Sequence, residues 1–179
     1  TPTAQQLHLI ARVSYHPGNE VQLLRGGREL FADIIAAVDA ARFEVWLASY
    51  IFHHDPAAQA VSDALVRAAR RGVRVRVVVD GFGSINSVAT LRKWWQSGGV
   101  ALAVYRPLDR WWTWYQAEHL RRMHQKLCGV DGETAFVGGI NIIDDRLDIH
   151  HGTLPAPRLD FAVKLRGPTV APIEHTVRA

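Results

Sequence analysis

Two apolar stretches constrain this chain most. Phe43 to Phe52 is rich in β-branched and aromatic residues, and Val73 to Val79 alternates Arg74 and Arg76 with valines before becoming wholly apolar. Both read as strands buried in a sheet. Between them the apolar residues Val61, Leu65 and Ala68 fall on one helical face. Asp55-Pro56 opens that helix, because aspartate caps well and proline suits the first turn, and Gly72 stops it. Leu91 to Gln96 continues as a helix ended by Gly98-Gly99, and Val100 to Tyr105 as a further strand. Strand, helix, strand, helix, strand predicts an α/β fold: a mixed, mostly parallel sheet flanked by helices on both faces.

The flanks complete the outline. Val21 to Leu24 reads as a short strand, and Gly26-Gly27 leads into a helix with Leu30, Ile34, Ile35 and Val38 on one face. Lys126 to Val130 and Thr134 to Val137 are two strands joined by Asp131-Gly132, a strong hairpin signal. Asp144 to Arg158, with Pro155 and Pro157, reads as a loop; Leu159 to Leu165 reads as a last strand, and Gly167-Pro168 begins a final helix. Residues 1–20 are taken as an N-terminal extension and 21–179 as a single domain.

The 48% apolar and 21% charged residues exclude a disordered chain, and no apolar run reaches the length of a membrane span. The chain starts at Thr1, so an upstream anchor stays open. A net charge of +4 favours anionic partners, either lipid headgroups or nucleic acid. Cys128 is the only cysteine, so no intrachain disulfide can form.

Chemistry concentrates in His124-Gln125-Lys126, Asp131 and Gly138-Gly139-Ile140-Asn141. Side chains alternate along a strand, so His124 and Lys126 point the same way. An imidazole and an ammonium presented together suit a phosphate: one attacks or donates a proton, the other holds negative oxygens. Gly138 and Gly139 allow close backbone approach, and Asn141 can donate to a further oxygen. Taken singly these residues read as a turn, a bend and a solvated strand face; their joint spacing favours catalysis.

The spacing resembles the HKD motif of the phospholipase D superfamily, and every fixed position of that motif matches. Arg121 to Lys126, Ala135 to Asn141 and Asp160 to Val163 are similar to the first half of bacterial cardiolipin synthases, as are Ala68 to Val73 and Val79 to Gly81. One departure is Ala48, where this family often carries glutamate before a Thr/Ser-Tyr-Ile-Phe run.

What the resemblance implies is a phosphatidyl transfer between anionic phospholipids such as phosphatidylglycerol, without metal or cofactor. Two motifs face each other, one histidine forming a phosphohistidine and the other protonating the leaving alcohol. By position, His124 is the nucleophile, Lys126, Asn141 and Gly139 hold the phosphate, and Asp131 is counted with the catalytic group as its hydrogen-bonding support. Asp160 matches an acidic position that orients a catalytic imidazole. Among nine histidines only His124 is followed two residues later by lysine, so the chain carries half a site. The other half is supplied either by a missing C-terminal region or by a second copy. Alternative functions are a phosphodiesterase or nuclease acting as a homodimer, with nucleic acid the lesser partner, and an inert half-module. The resemblance places the protein peripherally on the cytoplasmic face of the inner membrane.

Lesser candidates surround this motif. Trp111, Trp112, Trp114 and Tyr115 among arginines suit a bilayer interface, and equally an ordinary core with a basic face. His53-His54-Asp55 and Asp148, His150 and His151 lack a zinc spacing and read as loop residues, so no metal site is expected. Cys128 shares the strand face of Lys126 but has no partner pattern for a catalytic thiol. Asp80, at a strand end, suits a site residue and a helix cap equally.

Overall fold

The computed structural model describes residues 17–107 and 122–178. Strand β1 (Glu20–Arg25) runs straight into helix α1 (Gly26–Ala40), a turn made possible by Gly26 at φ 69°. The expected stripe of Leu30, Ile34 and Val38 is buried. Strand β2 (Glu44–Ser49), helix α2 (Pro56–Arg70), strand β3 (Arg74–Asp80), helix α3 (Val88–Trp95) and strand β4 (Ala101–Tyr105) follow the expected alternation. Asp55 caps α2, its Oδ1 accepting from the Ala58 amide at 2.9 Å.

Strands β5 (Leu127–Val130) and β6 (Thr134–Gly138) form the expected hairpin. Asp131 at φ 54° and Gly132 at φ 70° give its turn the paired positive angles of type I′. The segment expected to be loop contains a small separate ribbon, β7 (Leu147–Asp148) with β8 (Gly152–Thr153). The Asp148 carboxylate closes it by accepting from the amides of His150 and His151. Strand β9 (Phe161–Arg166) and helix α4 (Val170–Arg178) complete the order.

The main sheet is mixed, in the order β1-β9-β6-β5-β2-β3-β4. Five of its seven strands run the same way, yet only β2–β3 and β3–β4 pair in parallel, the other four pairs being antiparallel. The reason is local: the β5–β6 hairpin forces antiparallel pairing, and β9 and β1 extend it.

Helices lie on both faces. Val45, Leu47, Val77, Val79, Cys128 and Phe136 form the core with α1 and α2, each side chain essentially excluded from water. Burial of residues such as Leu47 and Val77 stabilises by roughly 1.5–3 kcal/mol each. Helix α3 joins this side, Trp95 donating from Nε1 to Ser62 of α2 at 2.7 Å and packing edge-on to Phe52. Helix α4 covers β5, β2 and β6 from the other side, with Glu174 against Gly129. No helix among the described residues is long and apolar enough to cross a membrane.

This topology gathers the site. The carboxyl ends of β2, β3 and β6 and the amino ends of β5 and β9 share one edge of the sheet.

Candidate active site

His124 and Lys126 stand just before β5, beside the carboxyl end of β2. Lys126 Nζ lies 3.1 Å from His124 Nε2 and 3.1 Å from the His124 carbonyl oxygen. Lys126 is buried, while His124 is exposed. Burial lowers the Lys126 pKa below the ordinary lysine range, against the opposing charge of Asp160. The Tyr50 ring backs both groups: its centroid is 5.2 Å from the imidazole and 5.4 Å from Nζ. Burial and then Asp80 raise the Tyr50 pKa, with Arg122 opposing, so its phenol remains neutral.

Asp80 fixes the backbone of this pair. It is fully buried at the end of β3. Its Oδ1 accepts from the Phe82 and Gly83 amides, and its Oδ2 accepts from the Met123 amide at 2.9 Å. Arg122 Nη1 sits 4.0 Å from Asp80 Oδ1, and its guanidinium lies 5.0 Å over the Phe82 ring. The peptide that carries His124 is thereby tied to the neighbouring strand end.

Asn141 acts on the other flank. Its Oδ1 accepts from the Ile51 amide at 3.1 Å, so the side-chain NH2 is the group left to donate to a ligand. Gly138 and Gly139 are required by close approach. A Cβ on Gly138 would lie 2.5 Å from Ala162 Cα, and one on Gly139 would lie 2.5 Å from Asp160 Oδ1. Asp160 therefore borders Gly139 and exerts its charge on Lys126, while its Oδ1 accepts from the Phe161 amide; no hydrogen bond joins it to His124.

Asp131 stands apart from the pair it was grouped with. It lies at the far end of β5, where its carboxylate accepts from the amides of Arg42, Phe43 and Glu44, each at 2.8 Å. Burial alone would raise its pKa, but the amides of Glu44, Arg42 and Phe43 hold it below the usual range. Its place in the spacing reflects a clamp between the hairpin and the start of β2, not a group in contact with substrate.

The remaining candidates are accounted for locally. His53 Nδ1 meets Asp55 Oδ2 at 3.1 Å, His54 Nδ1 meets Ser87 Oγ at 3.1 Å, and His151 is held by Asp148. Among the described residues no cluster of three metal-ligating side chains occurs. Burial, with Glu174 nearby, pushes the Cys128 thiol up to about 12, which removes it as a nucleophile. Trp111, Trp112, Trp114 and Tyr115 lie outside the described residues. Tyr50 and Arg122 were not singled out by sequence reasoning; the run Ser49-Tyr50-Ile51-Phe52 at the end of β2 was the available signal.

Residues 34–153 match the family model described as cardiolipin synthase, PLD-like domain, and the chain belongs to this phospholipase D-like family. Cardiolipin synthase B of Salmonella typhimurium is 32% identical over 162 residues, covering 90% of this chain and 38% of that protein. The chain thus spans well under half the length of the curated relatives it matches. Among solved structures, the phospholipase D family member Nuc of Salmonella typhimurium aligns with a TM-score of 0.64 and 19% identity, over 90% of this chain and 93% of that one. Phosphatidylserine synthase of Haemophilus influenzae aligns with a TM-score of 0.66 and 17% identity, over 88% of this chain and 35% of that one.

Proposed function

We propose that this chain is one half of a phosphatidyltransferase of the cardiolipin synthase type, the half that carries the nucleophilic histidine. The observation that carries this reading is the 3.1 Å approach of Lys126 Nζ to His124 Nε2 at one sheet edge. An ammonium donor beside an imidazole nitrogen free to attack suits an anionic phosphoryl group, and the curated relatives are cardiolipin synthases.

In this mechanism His124 Nε2 forms a bond to phosphorus while the phosphorus–oxygen bond to the leaving glycerol breaks. The departing alkoxide takes a proton from the histidine of a second half. That histidine then accepts the proton of an incoming hydroxyl, whose oxygen displaces Nε2 from phosphorus. Lys126 Nζ and the Asn141 NH2 hold the nonbridging oxygens as charge grows. Asp80, through the Met123 amide, keeps the imidazole aimed. The partners are a membrane surface bearing phosphatidylglycerol, on the cytoplasmic side, and the second half itself, from the same longer polypeptide or from a second copy.

A second reading is a phosphodiesterase or nuclease that assembles its site from two copies. It is favoured by the near-complete overlap with Nuc, of which 93% is covered by a chain of this size. Incubation with phosphatidylglycerol vesicles and with single-stranded DNA, each beside His124→Ala, separates these readings. Diphospholipid formation and an acid-labile phosphohistidine, both abolished by the substitution, support the transferase. Nucleotide release supports the nuclease, and silence from folded protein leaves an inert half.

A further inference from the structure

Beside the catalytic pair, on the β1 side of the same sheet edge, an open cleft lies between the β1–α1 junction and the segment 144–160. It is lined by Arg25, Arg28, Arg146 and Arg158. None of these four guanidinium groups forms an ion pair within 4.0 Å among the described residues. Among the described residues, Arg146 and Arg158 reach only backbone carbonyls, of Pro155 and Asp144.

Three carboxylates share the cleft, and each is turned to the backbone. Asp145 Oδ2 accepts from the Gly27 amide at 2.6 Å, Asp144 Oδ1 from the Arg146 amide, and Asp160 Oδ1 from the Phe161 amide. Four arginines against three aspartates leave a positive excess. With the carboxylates engaged by amides, the arginine heads are the groups presented to a ligand. Planar guanidinium groups bind phosphate in paired hydrogen bonds, which makes phosphate the fitting anion.

Asp160 stands where this cleft meets the catalytic site, since it lines the one and borders Gly139 of the other. With Oδ1 taken by the Phe161 amide, its Oδ2 can still accept hydrogen bonds from hydroxyl groups.

We propose that this cleft binds the headgroup of a second anionic phospholipid, the acceptor. Its phosphate rests on Arg25, Arg28, Arg146 and Arg158, and its glycerol hydroxyls lie toward Asp160 and His124. This rests on the transferase reading for the acceptor's role, but the binding itself is measured without turnover.

The test uses the full chain carrying Lys126→Met, which silences the catalytic phosphate contact. Its binding is followed to vesicles of phosphatidylglycerol in phosphatidylcholine, to soluble glycerophosphoglycerol, to inorganic phosphate and to single-stranded DNA. Binding of vesicles and glycerophosphoglycerol that persists in Lys126→Met, and weakens about tenfold or more on adding Arg25→Gln with Arg28→Gln, supports the site. Partial recovery with Arg25→Lys and Arg28→Lys, checked by circular dichroism for an unchanged fold, supports it further. Headgroup binding abolished by Lys126→Met alone, or changed less than twofold by the arginine variants, overturns it. Inorganic phosphate bound as tightly as glycerophosphoglycerol overturns the lipid assignment, as does an arginine effect confined to DNA. Turnover that survives His124→Ala refutes the transferase reading instead, so the two failures are distinguishable.

Discussion

The Asp80 carboxylate accepts from the Met123 amide at 2.9 Å across 43 residues of chain, and so fixes the peptide immediately before His124. A fully buried carboxylate in this position couples the end of β3 to the start of the segment that carries His124 and Lys126. Replacing it leaves three backbone amides without their acceptor and Arg122 without its counter-charge. Asp80→Ala is expected to lower stability by about 2–4 kcal/mol in urea unfolding. Asp80→Asn is expected to recover part of that stability, with transfer activity still reduced at least about tenfold.

Asp131 serves stability, not the reacting atoms. Its folded-state pKa is depressed, so its contribution is present above the ordinary carboxylate pKa and is lost as pH falls through the folded value. Asp131→Asn is therefore expected to be less stable than wild type at pH 7 by about 1–2 kcal/mol, allowing for partial solvent screening. The difference should shrink as urea unfolding is repeated at pH values descending below the ordinary aspartate value of 3.8.

Lys126 has the same sign of linkage in a more alkaline window, although here burial works against the charged form. Its folded pKa lies below the ordinary 10.5, so the unfolded chain binds more protons in the window just below that value. Wild-type stability relative to Lys126→Met is expected to rise as pH is raised from neutrality toward 10.5. At pH 7 the Met variant should fold at least as well while losing transfer activity by about a hundredfold or more.

The two glycines separate by what they touch. A Cβ at 138 meets the Ala162 backbone, which cannot yield, whereas one at 139 meets the Asp160 carboxylate, which can rotate. Gly138→Ala is expected to cost about 2–4 kcal/mol in thermal or urea unfolding, and Gly139→Ala about 1 kcal/mol or less. The Gly139 variant should instead show its effect on catalysis, through displacement of Asp160 from Lys126.

Much of this was legible in the residues. The alternation from Phe43 to Tyr105 and the Asp131-Gly132 turn are set by short-range periodicity and turn chemistry, which a sequence displays directly. The order of the sheet is not, because β9 settling between β1 and β6 depends on pairings between distant segments. The ribbon of Leu147–Asp148 with Gly152–Thr153 is not legible, because it is two residues long on each side and a single side chain, Asp148, closes it. Spacing alone grouped Asp131 with His124 and Lys126, although the length of β5 carries it to the opposite end. Asp80 and Tyr50 become site-supporting residues only once β3 and β2 end beside β5.

Nuclear magnetic resonance titration of the protein with inorganic phosphate tests the convergence of the two side chains most directly. His124 Nε2 and Lys126 Nζ are expected to shift together with a single dissociation constant, and Lys126→Met should abolish the His124 response. Phosphate binding that leaves His124 unmoved, or a His124 response indifferent to loss of Lys126, would contradict the account.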